Sequence, residues 1–364
     1  MLTIASVLLA ATPPVAPPPI RLSDPVRTGA EPRQQQLITW MPSETRCGDE
    51  IVPVISGRRP YNDLGWTGVP PKPDMRYRFS IDADGRTHSI MAEETAPARG
   101  TSGGPAVATT RYAAGQPRVS CRVSYRAVYT PFDQAGRAEL ASYVMTNRTP
   151  RLPREALNVL QEGDGCRDGT QPLQRAFPEF ATLPATPGVR DWTMIGFDVD
   201  PEGVPRNVRP LYGTGNEDLA KASADAVARS RFNAGPLRKN CSYPYWRAAA
   251  ILPAPALPEV ESNTVCDSRA WKTPLNQSYP RAYSERMIEG WAVIRYDVAS
   301  WGEIGNLEIV DAQPSMDFGL AAKRMLERAS KEPGDALSGC VDVVRYVMPP
   351  RRDDEDRVYV SPAS

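Results

Sequence analysis

The sequence predicts an α+β fold of three tandem small domains, each a three-stranded antiparallel sheet with one helix packed on one face and one intradomain disulfide. Three observations lead there. The six cysteines lie at 47, 121, 166, 241, 266 and 340, and in order they pair at separations of 121−47 = 74, 241−166 = 75 and 340−266 = 74 residues. The chain also overlaps itself. A shift of 120 lays Ala106, Val107, Ala108, Arg111, Gly115, Arg118, Cys121 and Tyr125 on identical residues, and a shift of 99 lays Trp192, Val199, Asn207 and Cys241 on Trp291, Val298, Asn306 and Cys340. Finally, each copy carries a run in which apolar and polar residues alternate, the period of a strand buried on one face.

In the first copy Met75, Tyr77, Phe79 and Ile81 alternate with Arg76, Arg78, Ser80 and Asp82. Thr193, Ile195, Phe197 and Val199 repeat the pattern, as do Ala292, Ile294, Tyr296 and Val298 against Arg295 and Asp297. Such alternation predicts a sheet covered on a single side. A turn glycine follows each run, at 85, 203 and 302, where a positive φ meets no Cβ clash. The covering helix comes next. Asn216 caps one with Leu219, Ser223, Ala226 and Val227 on a stripe, and Ser315 opens another with Phe318, Ala322, Met325, Leu326 and Ala329. The first copy has only "PAVATTRY" there, which predicts a short helix. A last strand then opens on the second cysteine of each pair.

The copies span 42–131, 160–250 and 262–349, joined by linkers at 132–159 and 251–261 and followed by a solvated tail at 350–364. Six cysteines allow fifteen pairings, and the equal spacing favours Cys47–Cys121, Cys166–Cys241 and Cys266–Cys340. Closing a loop of such length stabilises a unit by roughly 4 kcal/mol in the chain-entropy view. Bridges of this kind persist in an oxidising compartment. Residues 2–11 form a short apolar run ending on Ala10 and Ala11, about half a membrane span, which predicts an exported protein with a signal peptide over 1–12 and a Pro-rich linker over 13–41. No Lys or Arg precedes that run, so the signal is atypical or the start lies upstream.

Lys+Arg and Asp+Glu balance at 43 each, which gives no field to attract nucleic acid or anionic lipid. Only six of the basic residues are Lys, leaving 43−6 = 37 Arg, a skew that follows a GC-rich genome.

The third copy resembles the C-terminal domain of TonB. Tyr279-Pro280, then "IEGWAVIRYDV", Gly302, "NLEIVDAQP", Phe318 and an Ala-rich helix carry the resemblance. The second copy keeps Phe177-Pro178, "FDVDPEG", Asn207-Val208 and "ARSRFNAG", and the first follows by repetition. One departure is Tyr283, where the family has Ala. The resemblance implies a non-enzymatic periplasmic protein that binds extended peptides of envelope partners, such as TonB-dependent transporters, by adding a strand to an exposed edge. The edge residues it points to are Val341, Val343, Arg345 and Val347. An energy-transducing role would need an uncleaved or missing N-terminal anchor, and the functional His and charged spacer of TonB have no counterpart.

Other chemistry is thinly signalled. "GTSGG" at 100–104 has the spacing of a nucleophile elbow, but the single His88 precedes Ser102, so a flexible loop is the expectation and a secreted enzyme of another type the remote alternative. "DVDPEG" at 198–203 resembles half a calcium loop, yet Arg209 stands where the bidentate Glu belongs, which predicts a hairpin turn. One His and six bridged cysteines predict no metal and no cofactor. Membrane association is expected only through partners. Trp192 and Trp291 open their strands and are expected to pack on the adjoining lead-in.

Overall fold

The computed structural model describes residues 33–93, 102–147, 150–166, 172–260, 266 and 269–349. In it three stretches of chain share an order of strand, strand, helix and strand. The first holds β1 (Gln35–Pro42), β2 (Arg46–Cys47), β3 (Glu50–Ile51), β4 (Val54–Ser56), β5 (Asp63–Trp66), β6 (Met75–Ile81), β7 (Thr87–Ala92), α1 (Gly103–Thr109), β8 (Arg111–Tyr112) and β9 (Arg118–Pro131). It belongs to a seven-stranded sheet rather than the expected three-stranded one, because β1, β2, β3 and β5 extend it. Two helices follow, α2 (Arg137–Thr146) and α3 (Arg154–Leu160). The second stretch has β10 (Pro172–Gln174), β11 (Asp191–Val199), β12 (Pro205–Gly213), α4 (Glu217–Arg229), β13 (Arg231–Phe232) and β14 (Arg238–Arg247). The third has α5 (Arg281–Ser284), β15 (Gly290–Val298), β16 (Ile304–Gln313), α6 (Met316–Leu326) and β17 (Leu337–Tyr346).

The chain is thus mixed α+β with small antiparallel sheets, six α-helices among the described residues, and the disulfides Cys47–Cys121, Cys166–Cys241 and Cys266–Cys340. Three such bridges point to an oxidising, extracytoplasmic compartment. No helix among the described residues is long and apolar enough to cross a membrane. The expected signal segment and the tail lie outside the described residues.

In each stretch the alternating strand becomes the middle one. β6 pairs β7 and β9, β11 pairs β12 and β14, and β15 pairs β16 and β17. The turn glycines have one role three times over. Gly85, Gly203 and Gly302 have φ of 74°, 83° and 93°. A Cβ on any of them would sit 2.0 Å from a backbone oxygen, of Tyr112, Phe232 or Lys331. Those residues donate their own N–H to the glycine carbonyl at 3.0, 2.8 and 2.9 Å. Each hairpin turn is therefore sewn to the segment after the helix, an element without a signal in the strand pattern.

The helices cover the faces the stripes predict. Asn216 caps α4 by accepting the Leu219 N–H, and α4 buries Leu219, Ser223, Ala226 and Val227. Ser315 caps α6, which buries Phe318, Ala321, Ala322, Met325 and Leu326.

In β6 the alternation holds, with Arg76 and Arg78 exposed, but β11 and the start of β15 are covered on their second face as well. Trp192 and Met194 pack on Ala141 and Met145 of α2. Trp291 donates its indole N–H to the Pro255 carbonyl at 2.8 Å, and Val293 is buried beside it. The uninterrupted apolar run Trp291–Ile294 was the signal for a strand buried on both sides. Both tryptophans are buried, Trp192 against α2 and Trp291 against the segment holding Pro255.

The segments expected as linkers carry structure. Residues 132–159 include α2 and most of α3, whose core joins Leu140, Tyr143 and Ala156 to Leu37 and Phe132. Residues 35–41, expected in a Pro-rich linker, form most of β1. The first and third stretches share one core, in which Tyr77, Ile90 and Val107 meet Tyr283, Ile288, Phe318 and Tyr346.

Candidate functional site

The residues expected to meet a peptide, Val341, Val343 and Arg345, lie on β17, and Val347 stands one residue beyond it. β17 is the outer strand of the order β16-β15-β17, and among the described residues no strand pairs with its outer side. In an antiparallel strand the N–H and C=O of one residue point the same way, and alternate residues share a side. The Gln277 side chain donates to the Arg345 carbonyl at 2.7 Å from outside the sheet. Arg345, Val343 and Val341 therefore turn their backbone groups outward. Gln277 covers one end of the edge, a contact the sequence did not signal.

The equivalent edges are closed. Register places Cys121, Cys241 and Cys340 opposite Phe79, Phe197 and Tyr296, so Val343 corresponds to Ser124 and Pro244. In the first stretch the outer side of β9 is occupied by β2 and β1, with Cys47 opposite Cys121 and Trp40 opposite Ala127. In the second, Gly165 donates its N–H to the Lys239 carbonyl at 2.9 Å, and the middle of β14 holds Pro244. Proline has no N–H to offer an incoming strand and is a residue that blunts edges. This proline stood in the motif "NCSYPYWRAA" and is a signal that the strand pattern alone passed over.

One end of the β17 edge is braced from within. Asp297 accepts from Asn306 Nδ2 at 2.6 Å and from the Gly339 N–H at 2.8 Å. These bonds, the Asn306 one foremost, hold its carboxyl below the usual range. Asp198 does the same with Asn207 and the Asn240 N–H, at 2.7 and 2.9 Å. Both ties span residues with positive φ, Asn207 and Asn240 in one sheet and Asn306 and Gly339 in the other.

The remaining sequence candidates have structural places. Gly103 and Gly104 open α1, with Cβ positions that would lie 2.4 Å from Tyr77 Oη and 2.2 Å from Tyr283 Oη. Ser102 Oγ accepts the Tyr61 N–H at 2.7 Å, and His88 Nδ1 pairs with Ser89 Oγ at 3.1 Å. Residues 100 and 101 of the elbow-like motif lie outside the described residues. In "DVDPEG", Asp200 accepts the Val204 N–H at 2.8 Å and pairs with Arg206, closing a hairpin. Among the described residues the cluster with metal-ligand proximity is Asp164, Cys166 and Cys241, and both of its sulfurs are bound in one disulfide. Tyr283 is fully buried, donates to Asp317 at 2.9 Å within the third stretch, and packs in the core that this stretch shares with the first.

No protein-family model matches the chain, and no curated protein matches its sequence.

Proposed function

We propose that the chain is a non-enzymatic periplasmic protein built of three TonB-C-like domains that binds an extended peptide of an envelope partner at the β17 edge. The observation that carries this reading is the difference between the three equivalent edges. One is filled by the chain's own β1 and β2, one is interrupted by Pro244, and the β17 edge presents the N–H groups of Val341, Val343 and Arg345. Recognition then rests on backbone hydrogen bonds, each contributing about 0.5–1.5 kcal/mol net. The half-buried Val341 and Val343 beside exposed Arg345 and Val347 favour an extended segment with apolar side chains at alternate positions.

The test is a binding titration of the full chain with extended peptides from the N-terminal segments of outer-membrane transporters, set beside Val343→Pro. Pro244 already occupies this position in the second sheet, so the substitution is compatible with the fold. Saturable binding that weakens about tenfold or more in Val343→Pro supports the proposal. Equal binding by both proteins removes it.

A further inference from the structure

We propose that the junction of the three stretches contains a binding site for a small oxyanion, of the phosphate or carboxylate class, walled by Arg58, Arg190 and Arg286. A cavity of about 250 Å³ lies there, bounded by residues 57–62 of the first stretch, by α2, by residues of the second stretch including Arg190 and Thr214, and by Arg286 of the third. Four guanidinium groups line it, those of Arg58, Arg59, Arg190 and Arg286, against one carboxylate, Glu139.

The carboxylates nearby already have partners. Glu139 pairs with Arg59 at 3.0 Å and also accepts from Asn62 Nδ2 at 2.9 Å. Asp191 is the nearby second acid, and its oxygens accept from Thr186 N–H, Asn216 Nδ2 and Thr214 Oγ1 at 3.1, 2.9 and 3.2 Å. The one lining carboxylate and its acidic neighbour are thus both engaged by hydrogen-bond donors of the protein itself. Burial lowers the proton affinity of Arg58 most, with Asp191 opposing that shift and Arg286 adding to it.

Two buried donors on residues that line the cavity lack a hydrogen-bond partner. Arg286 is 2% exposed, stacks 4.1 Å above the Tyr61 ring and donates Nη2 to the Arg59 carbonyl at 2.9 Å. Its Nε is buried with no hydrogen-bond partner, as is Nε of Arg58. Buried polar groups are nearly always paired, and the guanidinium fork fits the oxygens of a carboxylate or phosphate. The cavity is smaller than those that take drug-sized ligands, which restricts the occupant to a small anion. Bound there, it would touch all three stretches and stabilise their packing by mass action.

The experiment is equilibrium dialysis of the full chain against radiolabelled inorganic phosphate at fixed ionic strength, with succinate and chloride as competitors. The expected result is saturable binding of one phosphate per chain that chloride does not displace. Displacement by succinate assigns a general oxyanion site, and resistance to it assigns a phosphate site. Arg58→Gln and Arg190→Gln, both at half-buried positions, are each expected to weaken binding about tenfold or more. A melting temperature that rises with phosphate in the wild type, and not in these variants, is the second readout. The proposal is overturned if phosphate and succinate both fail to bind saturably at about 10 mM, well above ordinary small-ligand affinities, or if binding survives both substitutions in folded protein.

Discussion

Ser124 exchanges two hydrogen bonds with Ser43: its carbonyl accepts the Ser43 N–H at 2.8 Å, and its N–H donates to Ser43 Oγ at 3.0 Å. The outer edge of β9 is thereby filled from within the chain, at the position where β14 carries Pro244 and β17 carries Val343. Strand addition is thus a contact that this architecture already makes once. An edge left open in the third sheet, and interrupted in the second, is a choice between equivalent surfaces rather than a general property of the fold.

Restoring the missing donor should therefore open a second site. Pro244→Val is expected to raise peptide stoichiometry from one to two per chain, read by isothermal titration calorimetry. A ratio that stays at one would show that Pro244 is not what closes the β14 edge.

The junction between the first and third stretches depends on Gly104. A methyl group at Gly104 would lie 2.2 Å from Tyr283 Oη, whose ring is buried against Phe318 at 4.8 Å between centroids. Gly104→Ala is expected to cost about 1–3 kcal/mol, the range for an overpacked core. Gly115→Ala, with nothing within 4 Å of the new methyl, should stay within about 0.5 kcal/mol. Urea unfolding measures both. The double variant Gly104→Ala, Tyr283→Phe should recover part of the loss, since the clash is with the hydroxyl.

How much of this was legible depends on the range of each interaction. The bridges could be read because the six cysteines fall at near-equal spacings of 74 and 75 residues, and the strands because Phe79, Phe197 and Tyr296 sit in local alternation. Caps such as Asn216 and Ser315 are also local. What escaped was long-range. Nothing near residue 35 says that Leu37, Ile38 and Trp40 will pair along β9 ninety residues away. Helix α2 carries little amphipathic signal because it is buried on two sides, by Leu140 and Tyr143 toward β1 and by Ala141 and Met145 toward Trp192. Tyr283 was visible in the sequence, but its neighbour Gly104 lies in another stretch, about 180 residues away. The arginine-lined cavity draws residues from five separate segments, so no local motif could announce it.

The disulfides should matter unequally in kind but similarly in size. Each closes a loop of 74 or 75 residues, and removing one is expected to cost about 2–5 kcal/mol. Cys266→Ala with Cys340→Ala also frees the end of β17 from its lead-in. It should therefore lower peptide affinity as well as the urea midpoint. Cys166→Ala with Cys241→Ala, acting on the sheet whose edge is already interrupted, should lower the midpoint and leave affinity unchanged.

The acid dependence of stability follows from Asp198 and Asp297, the carboxylates that tie the bulges where the register of β11 with β14 and of β15 with β17 shifts. Asn306 foremost, then the Gly339 N–H, depress the Asp297 carboxyl, and Asn207 foremost, then the Asn240 N–H, depress Asp198. A group with a native pKa below its unfolded value binds fewer protons when folded. Its contribution is complete above the unfolded carboxylate value, near 3.9, and is lost as pH falls through the depressed native value. Asp297→Ala should therefore have a lower melting temperature than the wild type at pH 6, with the gap narrowing steadily below about pH 4. Asp342→Ala offers a contrast, because that carboxylate accepts from the Tyr296 hydroxyl and does not tie the bulge. A gap for Asp297→Ala that stays constant from pH 6 to pH 2.5 would mean that the ionised carboxylate is not what holds Asn306 and Gly339 in place.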